Sequence, residues 1–369
     1  MPIPIIDSHI HLFAASHLDS LAWRTPGGPL DSQHSVAEYR LASASVLTDP
    51  STTDRFYLRG FIFLETDRIS SLEPENWSHA LDEVAFLSRI ARGEPIEGEG
   101  HQPADRSLCV AIIPWAPVLA GPSALQAYLS KVRERTATDE VWRKIRGVRY
   151  LLQDKPAGTM LKDQFIEGLR YLGRQGMTFD LGIDARQGGL WQLDEAVKML
   201  EKVYEKDVEA DETVKVVINH LCKPNLHIYH DSVLLDHPDF LAWKGHITSL
   251  SRFPRTYMKL SGAFSELHPD FKFPASTSDS PPNEEQLLSL VATRLQPWTD
   301  VVFDTFGANR VMFGSDWPVC NVRGGGNQET WLRWTKVVEN LLDRRKLDEA
   351  ARNAIWAGTA AKVYGIKPS

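Results

Sequence analysis

Eight short apolar segments, rich in β-branched or aromatic residues, recur along this chain, each separated from the next by enough residues for a helix. They cover residues 3–12, 58–65, 108–115, 145–152, 177–183, 214–220, 256–261 and 310–315. Several are nearly continuous apolar runs, as expected of parallel strands covered on both faces. Between them lie stretches with helical spacing, at 80–91, 124–135, 161–174, 193–205, 285–295 and 330–342. In the first of these, Leu81, Val84, Ala85 and Leu87 alternate with Asp82, Glu83 and Arg89, which places an apolar stripe on one side. Eight strand-then-helix units with right-handed crossovers close into an α/β fold, a (β/α)8 TIM barrel spanning residues 1–369 as one domain. The rival is an open doubly wound sheet, but the G-x-G-x-x-G turn after a first strand is missing.

Three connections exceed the usual length. Residues 14–54 carry His17, Trp23, a Pro-Gly-Gly-Pro turn and His34; residues 92–106 are rich in Gly, Glu and Pro; residues 268–283 are rich in Pro, Ser and Asp. The first and third follow strand ends, where barrel loops build the substrate pocket, whereas the second reads as surface padding.

Charge and cysteine content narrow the partners. With 41 Lys+Arg against 48 Asp+Glu, the net charge of −7 offers no general attraction to nucleic acid. No apolar run approaches the ~20 residues that span a bilayer, and residues 1–7 lack a basic region followed by an apolar one. Cys109, Cys222 and Cys320 are an odd count spread far apart, which suits neither a disulfide framework nor a zinc knuckle. The expectation is a cytoplasmic protein acting on a small molecule, without nucleic-acid or membrane partners and with a homo-oligomer left open.

The chemistry concentrates at three strand ends. In Asp7-Ser8-His9-Ile10-His11 the two histidines are two apart on a strand and so project to the same side. Residues 311–318 read as strand eight running into a loop that opens on Asp316. In a closed barrel strands one and eight are neighbours, so Asp316 can approach His9 and His11 across three hundred intervening residues. Taken alone, an Asp before Trp-Pro can equally cap a helix. His220 ends the apolar run of strand six. Carboxylate as base, imidazole to polarise a carbonyl and an optional divalent ion together describe hydrolysis of an activated carbonyl. A serine nucleophile would want G-x-S-x-G, which is absent, and no cysteine stands in a catalytic setting.

The opening DSHIHLF, the INHLCKP segment and the closing FGSDWPV resemble the amidohydrolase superfamily, and within it the lactonase branch of sugar-lactone and pyrone-dicarboxylate lactonases. The first-loop stretch SHLDSLAWRTPGGPLDSQHSVAEYR is most similar to fungal L-rhamnono-γ-lactonases, and the similarity extends to RGFIFLETDR, IRGVRYLLQ and NAIWAGTAAKVYGI. The resemblance implies a distorted barrel with inserted loops at its C-terminal mouth and carries over His9, His11, His220 and Asp316 as the active-site set. It implies a carboxylic-ester hydrolase that opens a sugar-acid lactone, L-rhamnono-1,4-lactone to L-rhamnonate. A two-metal member would place a Lys or Glu at the end of strand four and a His at the end of strand five; this chain has Arg149 at the first position and no His at the second. At most one divalent ion is therefore expected, zinc first, on His9 and His11 with Asp316 or Glu65, and the branch also includes members that work without metal.

In this reading Asp316 activates water, the His9/His11 pair or its ion stabilises the oxyanion, and His220 orients the water. Arg149, Glu65, Ser261, Trp23 and Trp317 are the candidates for substrate contact, with Ser265 and Glu266 nearby. The alternatives are a metal-dependent decarboxylase or amidase on the same barrel, and a non-catalytic barrel that binds a sugar acid.

Overall fold

The fold is described from a computed structural model covering residues 2–46, 55–205, 213–228, 234–271, 273 and 284–367. The strands are β1 (Ile3–Ile10), β2 (Phe56–Leu64), β3 (Cys109–Ile113), β4 (Gly147–Arg149), β5 (Thr178–Leu181), β6 (Lys215–Ile218), β7 (Thr256–Leu260) and β8 (Val311–Phe313), one for each apolar segment, with β2 starting ahead of its own. All their pairings are parallel, in two ladders, β1-β2-β3 and β4-β5-β6-β7-β8. Isolated parallel bridges join the ladders at both seams: Ile112 with Ile145 and Trp115 with Arg149 between β3 and β4, and Ile10 with Trp317 beyond β8. The result is a distorted (β/α)8 barrel.

Helices follow the strands in alternation: α1 (Ser78–Arg92), α2 (Pro122–Thr136), α3 (Asp163–Arg174), α4 (Trp191–Val203), α5 (Pro238–Ser251), α6 (Glu284–Phe306) and α7 (Thr330–Arg344). Their apolar faces and the outward strand residues form the main core. Helix α6 runs well past the pattern read at 285–295, straight through Pro297. Burial of Trp298, Val301, Val302 and Phe306 on its second half outweighs the one backbone bond that proline removes. A smaller apolar cluster joins Ile6, Ile62, Ala111, Val217 and Met312 of the strands to Ala357, Ala360, Val363 and Tyr364 of the C-terminal segment. Lys215, the first residue of β6, donates to the Val363 carbonyl, so that segment caps the N-terminal end of the barrel and leaves the other end open for function.

The insertion after β1 folds back across that open end. Phe13 bridges to His34 and Leu21 to Arg68. Residues 92–106 are only in part surface padding: residues 94–98 are exposed, but Ala37 N donates to Gly100 O (2.8 Å), Ser35 Oγ to Glu99 O (2.5 Å) and Arg40 to Asp105 (2.7 Å), so the second half braces the first insertion. Residues 274–283, the greater part of the third insertion, lie outside the described residues. No helix among the described residues is long and apolar enough to cross a membrane.

The β1/β8 seam is fastened by Asp7. Its fully buried carboxylate accepts from Ser315 N (2.8 Å), Trp331 Nε1 (2.9 Å), Tyr39 Oη (3.0 Å) and His9 N (3.4 Å). One side chain thus ties β1 to the β8 loop, to α7 and to the first insertion. Main-chain bonds continue the seam, from Asp316 N to His9 O (2.9 Å) and from His11 N to Trp317 O (2.8 Å). Removing a donor from a buried carboxylate costs about 1–3 kcal/mol, so Tyr39→Phe should lower unfolding free energy by that amount in urea titrations. A variant as stable as the parent would show that Asp7 does not depend on this contact.

Candidate active site

His9, His11, Glu65, Arg149, His220, Ser261 and Asp316 all sit at or just past the C-terminal ends of their strands, the face where barrel enzymes carry their chemistry. The seam brings the distant ones together. Asp316 Oδ1 lies 3.6 Å from His9 Nε2, 3.7 Å from His11 Nε2 and 3.6 Å from His220 Nε2. The two histidines of the His-x-His pair approach to 3.2 Å between their Nε2 atoms. His9, His220 and Asp316 each offer one buried ligand atom, all within 4.8 Å of one another.

Strained backbone aims two of these groups. Asp316 has φ 62°, and His220, Leu221, Cys222 and Lys223 form a run at φ 54°, 53°, 61° and 47°, with no glycine among them. Each such residue costs about 1–2 kcal/mol. The turn is held by Lys223 N to His220 O (2.7 Å), Ala185 N to Cys222 O (2.9 Å) and Trp243 Nε1 to Leu221 O (3.0 Å). It directs His220 and Lys223 into the same cavity. Behind His220, Gly262 (φ 70°) leaves space that a Cβ would fill at 2.4 Å from His220 Nδ1.

Burial sets the charges. It pushes the His220 imidazole down to about 3, against the pull of Asp316, and holds His9 well below the usual histidine range, so both rings are neutral at pH 7. Burial alone would raise Asp316, but His220, His11 and Lys223 outweigh it and keep the carboxyl below its ordinary value. The arrangement sets one carboxylate beside two neutral imidazoles, His9 and His220.

A cavity of about 250 Å³ opens above this cluster. His11, His220, Asp316, Glu65 and Arg149 line it, as do Phe13, just past β1, and Trp23 and Leu30 from the first insertion. Trp23 is fixed by its Nε1 bond to Thr66 O (2.7 Å). Arg149 faces the cavity, with its Nε 3.4 Å from Oε1 of the buried Glu65.

Three expectations change. Trp317 does not line the cavity; it is fully buried, packs edge-on to Tyr39 and His34, and donates to Asn327, because the left-handed Asp316 turns the next side chain into the core. Ser261 reaches no substrate space, since its buried hydroxyl is bonded to His220 Nδ1 at 2.8 Å. Glu65 stands outside the His9/His220/Asp316 cluster because its carboxylate is engaged by Arg149 and by the Asp67 amide (2.5 Å); burial lifts it to about 8.

Sequence reasoning also missed a buried ion pair under the cluster. Lys259 on β7 donates to Asp180 on β5 (2.6 Å), both fully buried, and Tyr364 Oη reaches the same carboxylate (2.9 and 3.0 Å). The signal was present: each is a lone charge inside an otherwise apolar strand. Lys223 was passed over as well. It contacts Gln153 Oε1 (3.1 Å), Asp184 (3.7 Å) and Glu266 (3.8 Å) at the cavity wall.

The amidohydrolase family pattern (Amidohydro_2) matches residues 90–366. This chain belongs to the amidohydrolase family. It is 32% identical to an L-rhamnono-gamma-lactonase of Scheffersomyces stipitis over 366 residues, 98% of each chain. An L-fucono-1,5-lactonase of Burkholderia multivorans is 26% identical over 295 residues, 77% of each. Among solved structures, an amidohydrolase from Burkholderia multivorans with bound zinc superposes with a TM-score of 0.65 at 24% identity, covering 98% of this chain and 99% of that one. The barrel of this amidohydrolase is therefore the family's own fold.

Gly262→Ala in this amidohydrolase should destabilise it by about 1–2 kcal/mol or more through the left-handed backbone alone, and should displace the His220 ring in a crystal structure. An unmoved ring in a fully stable variant would contradict the close packing described.

Proposed function

We propose that this chain is a sugar-acid lactonase acting on L-rhamnono-1,4-lactone to give L-rhamnonate, with residues 1–369 as one catalytic unit in the reducing cytoplasm. The observation that carries this reading is the Asp316 carboxylate, with Nε2 atoms of three imidazoles within 3.7 Å, at the floor of the cavity. The resemblance to curated rhamnono- and fuconolactonases supports the substrate class, and three buried free cysteines suit a reducing compartment.

Asp316, ionised, takes a proton from water as its oxygen attacks the lactone carbonyl carbon. The new C–O bond turns the carbonyl oxygen into an oxyanion among the histidines. Collapse of that intermediate breaks the bond to the ring oxygen, which leaves as an alkoxide and receives the proton that Asp316 had taken. Water is thereby divided between the new carboxyl and the new hydroxyl. His220, held by Ser261, orients the water, and polar groups at the oxyanion lower the barrier most.

The donor set fits one divalent cation: His9, His220 and Asp316 would hold it, with His11 beside them. Bound there, it would act as a Lewis acid on the carbonyl oxygen. Arg149 at the end of β4 and the absence of a histidine in β5 do not fit a second ion, which favours the lactonase over a metal-dependent decarboxylase or amidase.

Phe13, Trp23, Leu30 and Val319 give the cavity apolar lining suited to the methyl group of a six-deoxy sugar, and Arg149 and Lys223 give it polar groups. Fuconolactone and rhamnonolactone should each be preferred over galactonolactone by about tenfold or more in kcat/KM; equal rates would remove the methyl-pocket assignment. Asp316→Asn should fall below about a tenth of parental kcat/KM with the fold intact. Higher retained activity would take the base role from Asp316.

A further inference from the structure

The turn that follows β6 delivers two side chains to the cavity, and the reaction proposed above uses only the first. Residues 220–223 pass through four consecutive left-handed conformations, and Lys223 N donates to His220 O (2.7 Å) to close the turn. His220 opens that turn, Lys223 ends it, and both line the cavity. Left-handed residues other than glycine persist only where surrounding contacts enforce them, and they gather where a side chain has to be aimed. His220 accounts for the start of the turn. Its end aims Lys223, whose side chain is 20% exposed.

Lys223 is held but not saturated. Its Nζ donates to Gln153 Oε1 (3.1 Å), while Asp184 Oδ2 at 3.7 Å and Glu266 Oε1 at 3.8 Å stand beyond hydrogen-bond reach. Both carboxylates are anchored elsewhere. Asp184 Oδ1 accepts from the amides of Arg186 (3.0 Å) and Gln187 (2.7 Å), and Glu266 Oε2 accepts from Arg186 Nε (3.0 Å) and Nη2 (2.5 Å). Buried Gln192 fixes the other two partners, donating to Gln153 O (2.9 Å) and accepting from Asp184 N (2.8 Å). An ammonium carries three donors, and among the described residues one is used. The charges around it decide what the others suit. Lys223 and Arg186 are balanced by Asp184 and Glu266, so this corner has no net charge with which to hold a further carboxylate. A hydroxyl oxygen accepts from an ammonium and brings no charge of its own.

We propose that Lys223 is a specificity-determining residue of this site, donating to a ring hydroxyl of a neutral sugar lactone. This deepens the lactonase reading and rests on it for the ring that is opened; recognition of the hydroxyl does not require turnover. The consequence is selection by hydroxylation. A site built to bond a substrate hydroxyl rejects an analogue that lacks it, because its donors are then left unmet. A lactone carrying a carboxylate gains nothing here, since Asp184 and Glu266 already balance the two cations. The apolar lining and Lys223 thus read different parts of one ligand, its methyl group and its hydroxylated ring.

The test compares the full-length protein with Lys223→Met on L-rhamnono-1,4-lactone, on γ-valerolactone, which keeps a ring and a methyl group but no hydroxyl, and on glucaro-1,4-lactone, which adds a carboxylate. The kcat/KM of Lys223→Met on rhamnonolactone should fall at least about tenfold more than on γ-valerolactone. Gln153→Leu, which releases the ammonium toward Asp184 and Glu266, should move the same ratio in the same direction, and it decides the matter if Lys223→Met does not fold. Equal losses on the two lactones in a folded variant overturn the proposal and leave the lactonase reading standing. So does a glucarolactone that the parent prefers and that loses most in Lys223→Met, because the lysine then answers to a carboxylate. Calorimetric binding of 1,4-anhydro-L-rhamnitol, which has the ring hydroxyls but no carbonyl to attack, separates recognition from turnover. Its Kd should rise at least about tenfold in Lys223→Met. That rise in a protein that hydrolyses none of the lactones sustains the Lys223 assignment and removes only the lactonase reading. Parent and variant that bind the anhydro sugar alike, or not at all, overturn the proposal.

Discussion

A single buried carboxylate, Asp7, holds the rest of this structure in register. It stands at the one seam where the first and last strands meet without a continuous ladder, and it gathers donors from the β8 loop, from α7, from the first insertion and from its own strand. Burial pushes its carboxyl above the usual range, and those donors pull it back only in part. The seam then passes through two main-chain bonds directly to His9 and Asp316. The geometry of the site is thus a by-product of closing the barrel: the same contacts that end the fold also bring the ends of the chain to one point.

Electrostatic layering follows from that closure. At the top lie the neutral rings of His9 and His220 beside an ionised Asp316. Below lies the Lys259–Asp180 pair, with the lysine lowered by burial to about 8. A buried ion pair contributes little net stability, because desolvation offsets its attraction. The first and second insertions close the third side. They brace one another through Ser35, Ala37 and Arg40 and hold Trp23 over the cavity.

Much of this was legible in the sequence. Each strand coincides with or overlaps an apolar segment of the chain, because parallel barrel strands are buried on both faces and advertise it by composition. His9, His11, His220 and Asp316 were legible because strand ends in a barrel converge on one mouth. The path of β6 into His220 was not: four left-handed residues without a glycine leave no compositional mark, since tertiary hydrogen bonds rather than residue type enforce them. Trp317 was misplaced for the same reason, as the left-handed Asp316 reverses the direction its neighbour takes. Lys259 and Asp180 were visible as isolated charges in apolar strands, and were passed over because neither belongs to a short motif. The true extent of α6 was hidden by Pro297, whose local penalty is smaller than the burial gained beyond it.

The central claim is that Asp316 and the histidine of the first strand act as one unit although three hundred residues separate them. The most direct measurement is a kinetic double-mutant cycle on lactone hydrolysis using Asp316→Asn, His9→Gln and the combined variant. If the barrel seam places both groups on the same reacting atoms, the combined variant loses little more kcat than the worse single variant, as groups that act together are strongly non-additive. Losses that simply multiply would mean that the two residues act independently, and the account of the site would fail.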